Sequence, residues 1–169
     1  IVRLLLGAKA RSVDTPDSKG YTPLIRASQD GHVEVVQLLL EARAHSIDHA
    51  NLEDATPLNV AAHDGHVEVV RLLLSSGSRS ADTPFPDGLT PLSAAAHAGH
   101  VEVVEQLLAA RAAVDLRDVD GDTPLSMASS NGHAQVVKLL LEARATSVDA
   151  PNLEDATPLN MAAHDGHVE

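Results

Sequence analysis

Two kinds of apolar segment alternate along the 169-residue chain. One kind is rich in Val and Leu, as in VEVVQLLL at residues 33–40 and AQVVKLLL at residues 134–141. The other follows a Thr-Pro-Leu sequence and consists mainly of small residues, as in TPLNVAA at residues 56–62. A Gly-His pair ends each of these small-residue segments. The alternation predicts a chain built from one repeated unit.

The repeat has a period of 33 or 34 residues. Thr-Pro-Leu occurs five times, with spacings of 34, 34, 33 and 34 residues, and Gly-His starts nine residues after each Thr. An 18-residue stretch at 51–68 returns at 152–169 with only Val60 exchanged for Met161, which is a shift of three whole units. The marker residues are Thr22, Thr56, Thr90, Thr123 and Thr157, and Gly31, Gly65, Gly99, Gly132 and Gly166.

Each unit predicts a hairpin tip followed by two short helices. Thr is a good helix N-cap, and Pro suits the first helical position because its missing N–H would have no partner there. We therefore expect a first helix to begin at each Thr-Pro, the Gly of Gly-His to end it, and a second helix to carry the Val and Leu pairs. Helices of about ten residues are marginal alone, so stacking must hold them. The recurring leucines expected in a continuous core are Leu24, Leu58, Leu92, Leu125 and Leu159.

These features together resemble the ankyrin repeat, a unit of about 33 residues with the pattern T-P-L-H-x-A. The resemblance covers the whole chain and implies an all-α repeat solenoid, in which helix-turn-helix units stack and carry short hairpin tips. We expect a single domain over residues 1–169. Full repeats are expected at 17–50, 51–84, 85–117 and 118–151, between partial repeats at 1–16 and 152–169, as in a piece of a longer array.

Departures from the ankyrin pattern mark where local structure is expected to differ. In all five copies another residue stands at the His position of the pattern, and four of these five residues can still make a polar contact to the helix start. An extra Ser lengthens the connection after the second helix, where added length costs little, and Pro84 and Pro86 are expected to weaken strand pairing at one tip. The replacing residues are Ile25, Asn59, Ser93, Ser126 and Asn160, and the extra serines are Ser12, Ser46, Ser80 and Ser147.

The glycine expected after the second helix survives only at Gly77. Lys9, Arg43, Arg111 and Arg144 stand at its other occurrences. If the backbone is left-handed there, each of these side chains costs about 1 kcal/mol.

The composition favours a folded, layered and aliphatic structure. Tyr21 and Phe85 are the only aromatic residues, yet 44% of the chain is hydrophobic, which is too much for disorder. With 24 acidic and 12 basic residues the net charge is −12, which opposes binding to nucleic acid or to an anionic membrane. The chain has no cysteine and no apolar run long enough for a membrane span or a signal peptide. We expect a soluble monomer inside the cell, in the cytoplasm or the nucleus.

The sequence contains no complete catalytic or metal-binding motif. The Gly-His histidines recur in every unit, and no nucleophile elbow, P-loop or dinucleotide-binding glycine pattern is present. Equivalent histidines of stacked units should lie roughly 8 to 10 Å apart, whereas zinc binds nitrogen at about 2.0 to 2.1 Å. The DVDGD sequence at 118–122 lacks the Gly and Glu positions of a calcium loop. We expect no enzyme activity, cofactor or metal here, despite the H-x-x-H pairs His63 and His66, His97 and His100, and His164 and His167.

Binding is the remaining function, and the positions that vary between units are the candidates for it. The ankyrin resemblance implies that variable residues at the tips and on the exposed face of the first helix line a concave surface and contact another protein. The tip candidates are Ser18, Lys19, Tyr21, Leu52, Glu53, Ala55, Pro86, Asp87, Leu89, Val119, Asp120, Asp122, Leu153 and Glu154. The helix candidates are Gln29, Asp30, His63, Asp64, His97, Ser130, Asn131, His164 and Asp165.

The charge of these candidates is strongly one-sided. Eight of the side chains are acidic and only Lys19 is basic. Together with the apolar tips, this imbalance predicts a partner protein that offers a basic and partly apolar segment. Two alternatives stay open: the acids only keep the array soluble, or the stack is a spacer or a regulatory or targeting region of a larger multidomain protein such as an enzyme.

Overall fold

The computed structural model of the chain describes residues 1–8, 12–42 and 45–168, and this part contains ten α-helices, two short 3-10 helices and no strand. Helix α1 comes first, and the helices after it form pairs joined at Gly-His, with α10 as the last. The α-helices are α1 (Val2–Gly7), α2 (Pro23–Gln29), α3 (Val33–Glu41), α4 (Pro57–His63), α5 (Val67–Ser75), α6 (Pro91–Ala98), α7 (Val101–Ala109), α8 (Pro124–Ser130), α9 (Ala134–Glu142) and α10 (Pro158–His164). The 3-10 helices are Ser80–Asp82 and Ser147–Asp149.

Each first helix begins at its Thr-Pro sequence, as predicted. The Oγ1 atom of Thr56 accepts a hydrogen bond from the backbone N–H of Asn59 at 3.2 Å, and Oδ1 of Asn59 accepts one from the N–H of Thr56 at 3.0 Å. This reciprocal capping box satisfies two amides that have no partner inside the helix. The polar contacts predicted for the residues that replace His are therefore confirmed, at Asn59, Ser93, Ser126 and Asn160.

The helices pack in two layers with an aliphatic core between them. Helices α2, α4, α6, α8 and α10 pack one on the next in one layer, and α1, α3, α5, α7 and α9 do so in the other. The buried residues of this core are all Leu, Val or Ala. Leu159 departs from the prediction that it is a core residue, because its helix α10 packs on α8 alone in the first layer and leaves this side chain 74% exposed.

The Gly-His histidines connect each unit to the unit before it. The Nε2 atom of His100 lies 3.1 Å from the carbonyl oxygen of His63 at the end of α4, and three further Gly-His histidines make the same contact. The His100 ring lies so close to Gly65 that a Cβ atom there would be 2.6 Å from Cε1 of the ring. Gly65 is thus needed both for its left-handed backbone, with φ at +76°, and for the absence of a side chain.

A second set of contacts between units is made by aspartates in the connections after the second helices. Each carboxylate accepts hydrogen bonds from backbone amides of the following unit, at 2.8 Å from Ala113 to Asp82 and at 2.9 Å from Thr146 to Asp115. Burial acts to raise the pKa of Asp115, but hydrogen bonds donated by Thr146 and Ser147 outweigh it and leave the pKa below its ordinary value. The extra residue of the longer units contributes here, since Oγ of Ser147 donates to Asp115 at 2.7 Å.

The backbone after the second helices is left-handed, so the condition for a cost at the arginines is met. Arg111 and Arg144 both have φ at +65°, and Gly77 has φ at +94°. The strain predicted at these two arginines is therefore present in the fold. Lys9 and Arg43 lie outside the described residues.

The hairpin tips form a third ladder between units, and it has one gap. The N–H of Leu52 donates to the carbonyl of Lys19 at 3.1 Å, and Val119 and Leu153 donate in the same way to the tips before them. Pro86 occupies the equivalent position and has no N–H to donate. Inside this tip the backbone pairing is intact, with Phe85 N–H donating to the carbonyl of Leu89 at 2.9 Å. The expected weakening of pairing within this tip is therefore wrong, and the hydrogen bond that the proline removes is the one between tips.

Candidate groove for a partner protein

Two adjoining grooves run between the hairpin tips and the first helices. The first, with a volume of about 460 Å³, contains Tyr21 and Phe85 and is called here the aromatic groove. The second, of about 340 Å³, contains Met127 and Met161 and is called the methionine groove. Both grooves are lined by Asp87 and Leu89, so they form one continuous surface, which we call the acidic groove.

The acidic groove collects the side chains that the core does not use. The chain has one Tyr, one Phe, two Met and no Trp, and all four of these residues line the groove. None of them belongs to the aliphatic core between the two helix layers. Aromatic side chains and methionine are enriched at protein interfaces, and methionine adapts its shape to different partners.

The floor of the aromatic groove is held by a small apolar cluster and by polar contacts. Tyr21 and Phe85 pack against a second buried cluster that is separate from the main core. The Tyr21 hydroxyl donates to Glu53 at 3.2 Å, and Cζ of Arg26 lies 3.6 Å from the centre of the Tyr21 ring. Burial, and then the hydrogen bond to Glu53, raise the pKa of Tyr21 above its ordinary value. The phenol therefore remains a neutral hydrogen-bond donor at physiological pH.

The opposite wall of the aromatic groove contains the Phe85 ring and the His63 imidazole. Their ring centres are 6.5 Å apart and the ring planes are nearly perpendicular, at 80°. Nδ1 of His63 lies 2.7 Å from a carboxylate oxygen of Asp64, which fixes the position of the imidazole. An edge-to-face arrangement of this kind is favourable for two aromatic rings.

The charged residues that line the groove are all acidic apart from its histidines, although Arg26 lies beside it on the Tyr21 ring. Six carboxylates line it, and neither Lys nor Arg is among its lining residues. Since low-dielectric walls concentrate the field of such a group, the groove attracts positive charge. The six are Glu53, Asp64, Asp87, Asp118, Asp120 and Asp122.

Three of these carboxylates crowd one tip at the rim of the methionine groove. Oδ1 of Asp118 accepts hydrogen bonds from the backbone N–H groups of Asp120 at 3.0 Å and Asp122 at 2.8 Å. Partial burial raises the pKa of Asp118 above its ordinary value, and the charges of Asp122 and Asp120 add to the rise against those two hydrogen bonds. The negative charge of Asp118 therefore destabilises the folded state.

This cost gives a prediction for Asp118→Asn. The amide keeps the accepting oxygen, as Asn51 does at the same place in another tip, but removes the charge. We expect the variant to raise the melting temperature at pH 7 by roughly 1 to 2 °C. Because the folded-state pKa is raised, the penalty exists above that pKa and disappears as the pH falls below the unfolded value of 3.8. The gain should thus be much smaller at pH 3.

Asp17→Asn is the matched control, because Asp17 occupies the same place in the first tip. A hydrogen bond from Arg26, followed by one from the N–H of Lys19, lowers the pKa of Asp17. Its charge therefore stabilises the fold above the unfolded pKa and stops doing so as the pH falls through the folded one. We expect Asp17→Asn to lower the melting temperature at pH 7. Equal effects of the two substitutions would show that the local charges do not decide these stabilities.

Fifteen of the 23 candidate residues from the sequence line the acidic groove. Ala55 is one of them, but it is only 4% exposed and packs in the small cluster with Ile25 and Val60, so it supplies floor and not contact surface. The fifteen are Tyr21, Gln29, Glu53, Ala55, His63, Asp64, Pro86, Asp87, Leu89, His97, Val119, Asp120, Asp122, Ser130 and Asn131. The candidates that line neither groove are Ser18, Lys19, Asp30, Leu52, Leu153, Glu154, His164 and Asp165.

Five groove residues are not among the candidates from the sequence. For most of them, a comparison of equivalent positions in the repeats gives an indication. Phe85 stands where the other tips have Asp or Asn, so it breaks the pattern of its column. Val60, Met127 and Met161 share one column, and the exchange of Val60 for Met161 is the only difference between the two 18-residue copies. The fifth residue, Asp118, shares its column with Asp17 and gave no such signal.

The described residues contain neither a cluster of metal ligands nor a helix that could span a membrane. Within 1–8, 12–42 and 45–168, no group of three or more His, Cys, Asp or Glu side chains is arranged to hold a metal ion. The second His of each H-x-x-H pair is occupied by its contact to a backbone carbonyl of the preceding unit, as at His66 with Gln29. No helix in the described part combines the length and apolarity needed to cross a membrane.

Stacked short helix pairs with a lined groove define a class of repeat scaffold that binds other proteins. The family model for ankyrin repeats, which comprises three copies, matches residues 1–84 and again residues 78–152. The chain belongs to the ankyrin-repeat family. Repeats of this family are in general protein–protein interaction modules and are in general not catalytic. A search of curated proteins gives no match to the chain.

Proposed function

We propose that this chain is a protein-binding module whose acidic groove holds a basic and partly apolar segment of another protein. The observation that supports it most is the placement of both aromatic residues and both methionines in one groove with six carboxylates and no Lys or Arg. Apolar side chains that the core leaves out provide anchoring area, and the carboxylates select a partner of opposite charge.

The two kinds of groove residue would contribute to different steps of binding. Carboxylates act over a distance comparable to the Debye length, about 8 Å at physiological ionic strength, and so increase the rate of encounter with a basic segment. Phe85, Leu89 and Met161 are partly exposed in the free chain and lose contact with water only in the complex, so they slow dissociation. A partner that carried charge alone would leave the apolar floor exposed.

The two alternative functions explain the groove less well. Carboxylates spread over any exposed surface would keep the array soluble, and that purpose does not require Phe85 and Met161 beside them. A spacer needs stacking between its units, which the aliphatic core provides without either groove. A role as a regulatory or targeting region of an enzyme is compatible with the proposal, because such a region also acts by binding.

Selection of peptides from a random displayed library against the chain tests this function. We expect the enriched peptides to carry a net positive charge together with Leu, Phe or similar residues. Their binding should weaken steeply between about 50 and 200 mM salt, since the attraction is partly long-range. A counter-selection against the same chain with Glu53, Asp87 and Asp120 each replaced by Lys identifies the peptides that need the groove.

The result would refute the proposal in either of two ways. Enrichment of neutral or acidic peptides would remove the role of the carboxylates. Enrichment of basic peptides that bind the lysine-substituted chain equally well would place the binding elsewhere on the molecule.

A further inference from the structure

We infer that the aromatic groove receives one arginine side chain of the partner segment. The inference rests on the proposed function and specifies one contact within it. The groove offers three things that a guanidinium requires, which are aromatic surface, carboxylates and a backbone carbonyl without a partner. These come from the second and third hairpin tips and from the end of helix α4.

The carbonyl without a partner is that of Glu53. Its equivalents in three other tips, such as Lys19 and Asp87, each accept a hydrogen bond from the N–H of the next tip. Pro86 follows Glu53 in the ladder and has no N–H, so within the described residues no hydrogen bond reaches the Glu53 carbonyl. Glu53 and Pro86 both line the aromatic groove, so the gap in the ladder lies at its rim.

A second difference at the same place keeps the ladder open. Three other tips carry Gly at the residue after this carbonyl, and a Cβ at Gly20 would lie 2.8 Å from the backbone nitrogen of the next tip. In the second tip this residue is Asp54, which has a left-handed backbone with φ at +56°. A side chain at this position therefore fits only where the backbone of the next tip does not pack against it. Asp54 and Pro86 act together to leave the Glu53 carbonyl free.

Aromatic surface and carboxylates line the same groove as Glu53. Phe85 and His63 form one wall, and Glu53, Asp64 and Asp87 supply negative charge on the lining. Beside this groove the protein already places a guanidinium on an aromatic ring, since Arg26, which is not a lining residue, covers Tyr21 with Cζ 3.6 Å from the ring centre. Phe85 has no such partner among the ring and cation contacts of the described residues.

Arginine fits this combination better than lysine does. A guanidinium is planar, has five N–H donors and is weakly hydrated, so it can lie on Phe85 and donate to a carboxylate and a carbonyl at once. A lysine ammonium is a compact and strongly hydrated charge, and it gains less from an aromatic face. The inference thus predicts that the groove prefers arginine to lysine, although the two residues carry equal charge.

The probe for this contact is N-acetyl-arginine methylamide, added to the ¹⁵N-labelled chain and followed by backbone amide shifts. We expect saturable shifts concentrated at residues 53–64 and 85–89, in the range of millimolar affinity. The citrulline analogue has a similar shape but no charge, and the lysine analogue has the charge but no planar group. We expect no saturable shift with citrulline and at least threefold weaker binding with lysine.

Two variants of the chain separate the parts of the contact. Phe85→Leu keeps an apolar side chain in the small cluster but removes the aromatic face, and should weaken the arginine probe by about threefold to tenfold. Asp54→Gly combined with Pro86→Leu copies the sequence of the other tips and should close the ladder. This double variant should raise the melting temperature and weaken the arginine probe at the same time.

Each remaining outcome decides against the arginine contact. Shifts confined to residues 118–122, or shifts that Phe85→Leu does not weaken, would place the cation elsewhere in the acidic groove and leave the proposed function standing. Equal binding of the lysine analogue would reject the guanidinium, and the lack of any saturable shift would reject the pocket. The proposed function fails separately, if the selected peptides are not basic or do not need the groove.

Discussion

Replacing Gly65 by Ala should destabilise the folded chain by about 2 to 3 kcal/mol, the largest effect on stability that we expect from a single methyl group. The added Cβ would lie 2.6 Å from Cε1 of His100, in a place where the backbone has φ at +76°. A left-handed alanine costs about 1 to 2 kcal/mol, and displacing the ring breaks the contact of His100 with the carbonyl of His63, which is worth about 1 kcal/mol more. Urea unfolding followed by circular dichroism measures the loss.

Gly77→Ala is the control that separates backbone strain from the clash. Gly77 also has a left-handed backbone, with φ at +94°, but a Cβ there would meet no atom within 4 Å. Its substitution should therefore cost only about 1 to 2 kcal/mol. His100→Ala should partly rescue Gly65→Ala, because it removes the ring that the new methyl group meets. An equal loss for the two glycine variants, or strict additivity with His100→Ala, would show that the histidine contact does not hold the units together.

Reversing three charges of the groove should reduce the affinity for a selected basic peptide by at least about a hundredfold at low salt. The change is Glu53→Lys with Asp87→Lys and Asp120→Lys, which replaces attraction by repulsion at three of the six carboxylates. Because attraction between opposite charges speeds encounter, association should slow by more than tenfold, and the remaining binding should depend less on salt. Stopped-flow or surface-based kinetics at several salt concentrations give these rates.

The apolar part of the contact should affect the other rate. Leu52→Ala with Leu89→Ala should mainly speed dissociation, since Leu89 lines both grooves and Leu52 is 77% exposed on a neighbouring tip. A matched charge control is available on the second helices, where Glu41, Glu105 and Glu142 are exposed and line neither groove. Reversing these three charges alters the net charge equally and should leave most of the affinity. The same loss in both charge variants would mean that net charge alone governs binding.

Repetition is the reason that the sequence predicts this fold so well. A single Thr-Pro-Leu is a weak signal, but five copies at one spacing place five helix starts, and each of these starts has its Thr cap in the structure. Capping and tight turns are local, so they follow from residue types close together in the chain. The contact of His66 with Gln29 joins residues 37 apart, so it does not follow from residue types close together in the chain.

The groove was harder to predict because it depends on differences between tips that lie next to one another only in the stack. Pro86 was recognised as a break in pairing, but its consequence for the Glu53 carbonyl requires knowing which carbonyl the missing N–H would have met. Phe85 and Met127 stand at positions of the repeat that are not among the contact positions implied by the ankyrin resemblance. The structure shows that this core is filled by Leu, Val and Ala alone, which releases the larger side chains to the groove.

Hydrogen–deuterium exchange of the chain with and without a selected basic peptide tests most directly whether the acidic groove is the binding surface. We predict slower exchange in the complex at the tips, in segments 51–56, 85–90 and 118–123, and no change in the second helices α5, α7 and α9. Slower exchange confined to those second helices, or no change at the tips at saturating peptide, would contradict the proposal that the groove holds the partner.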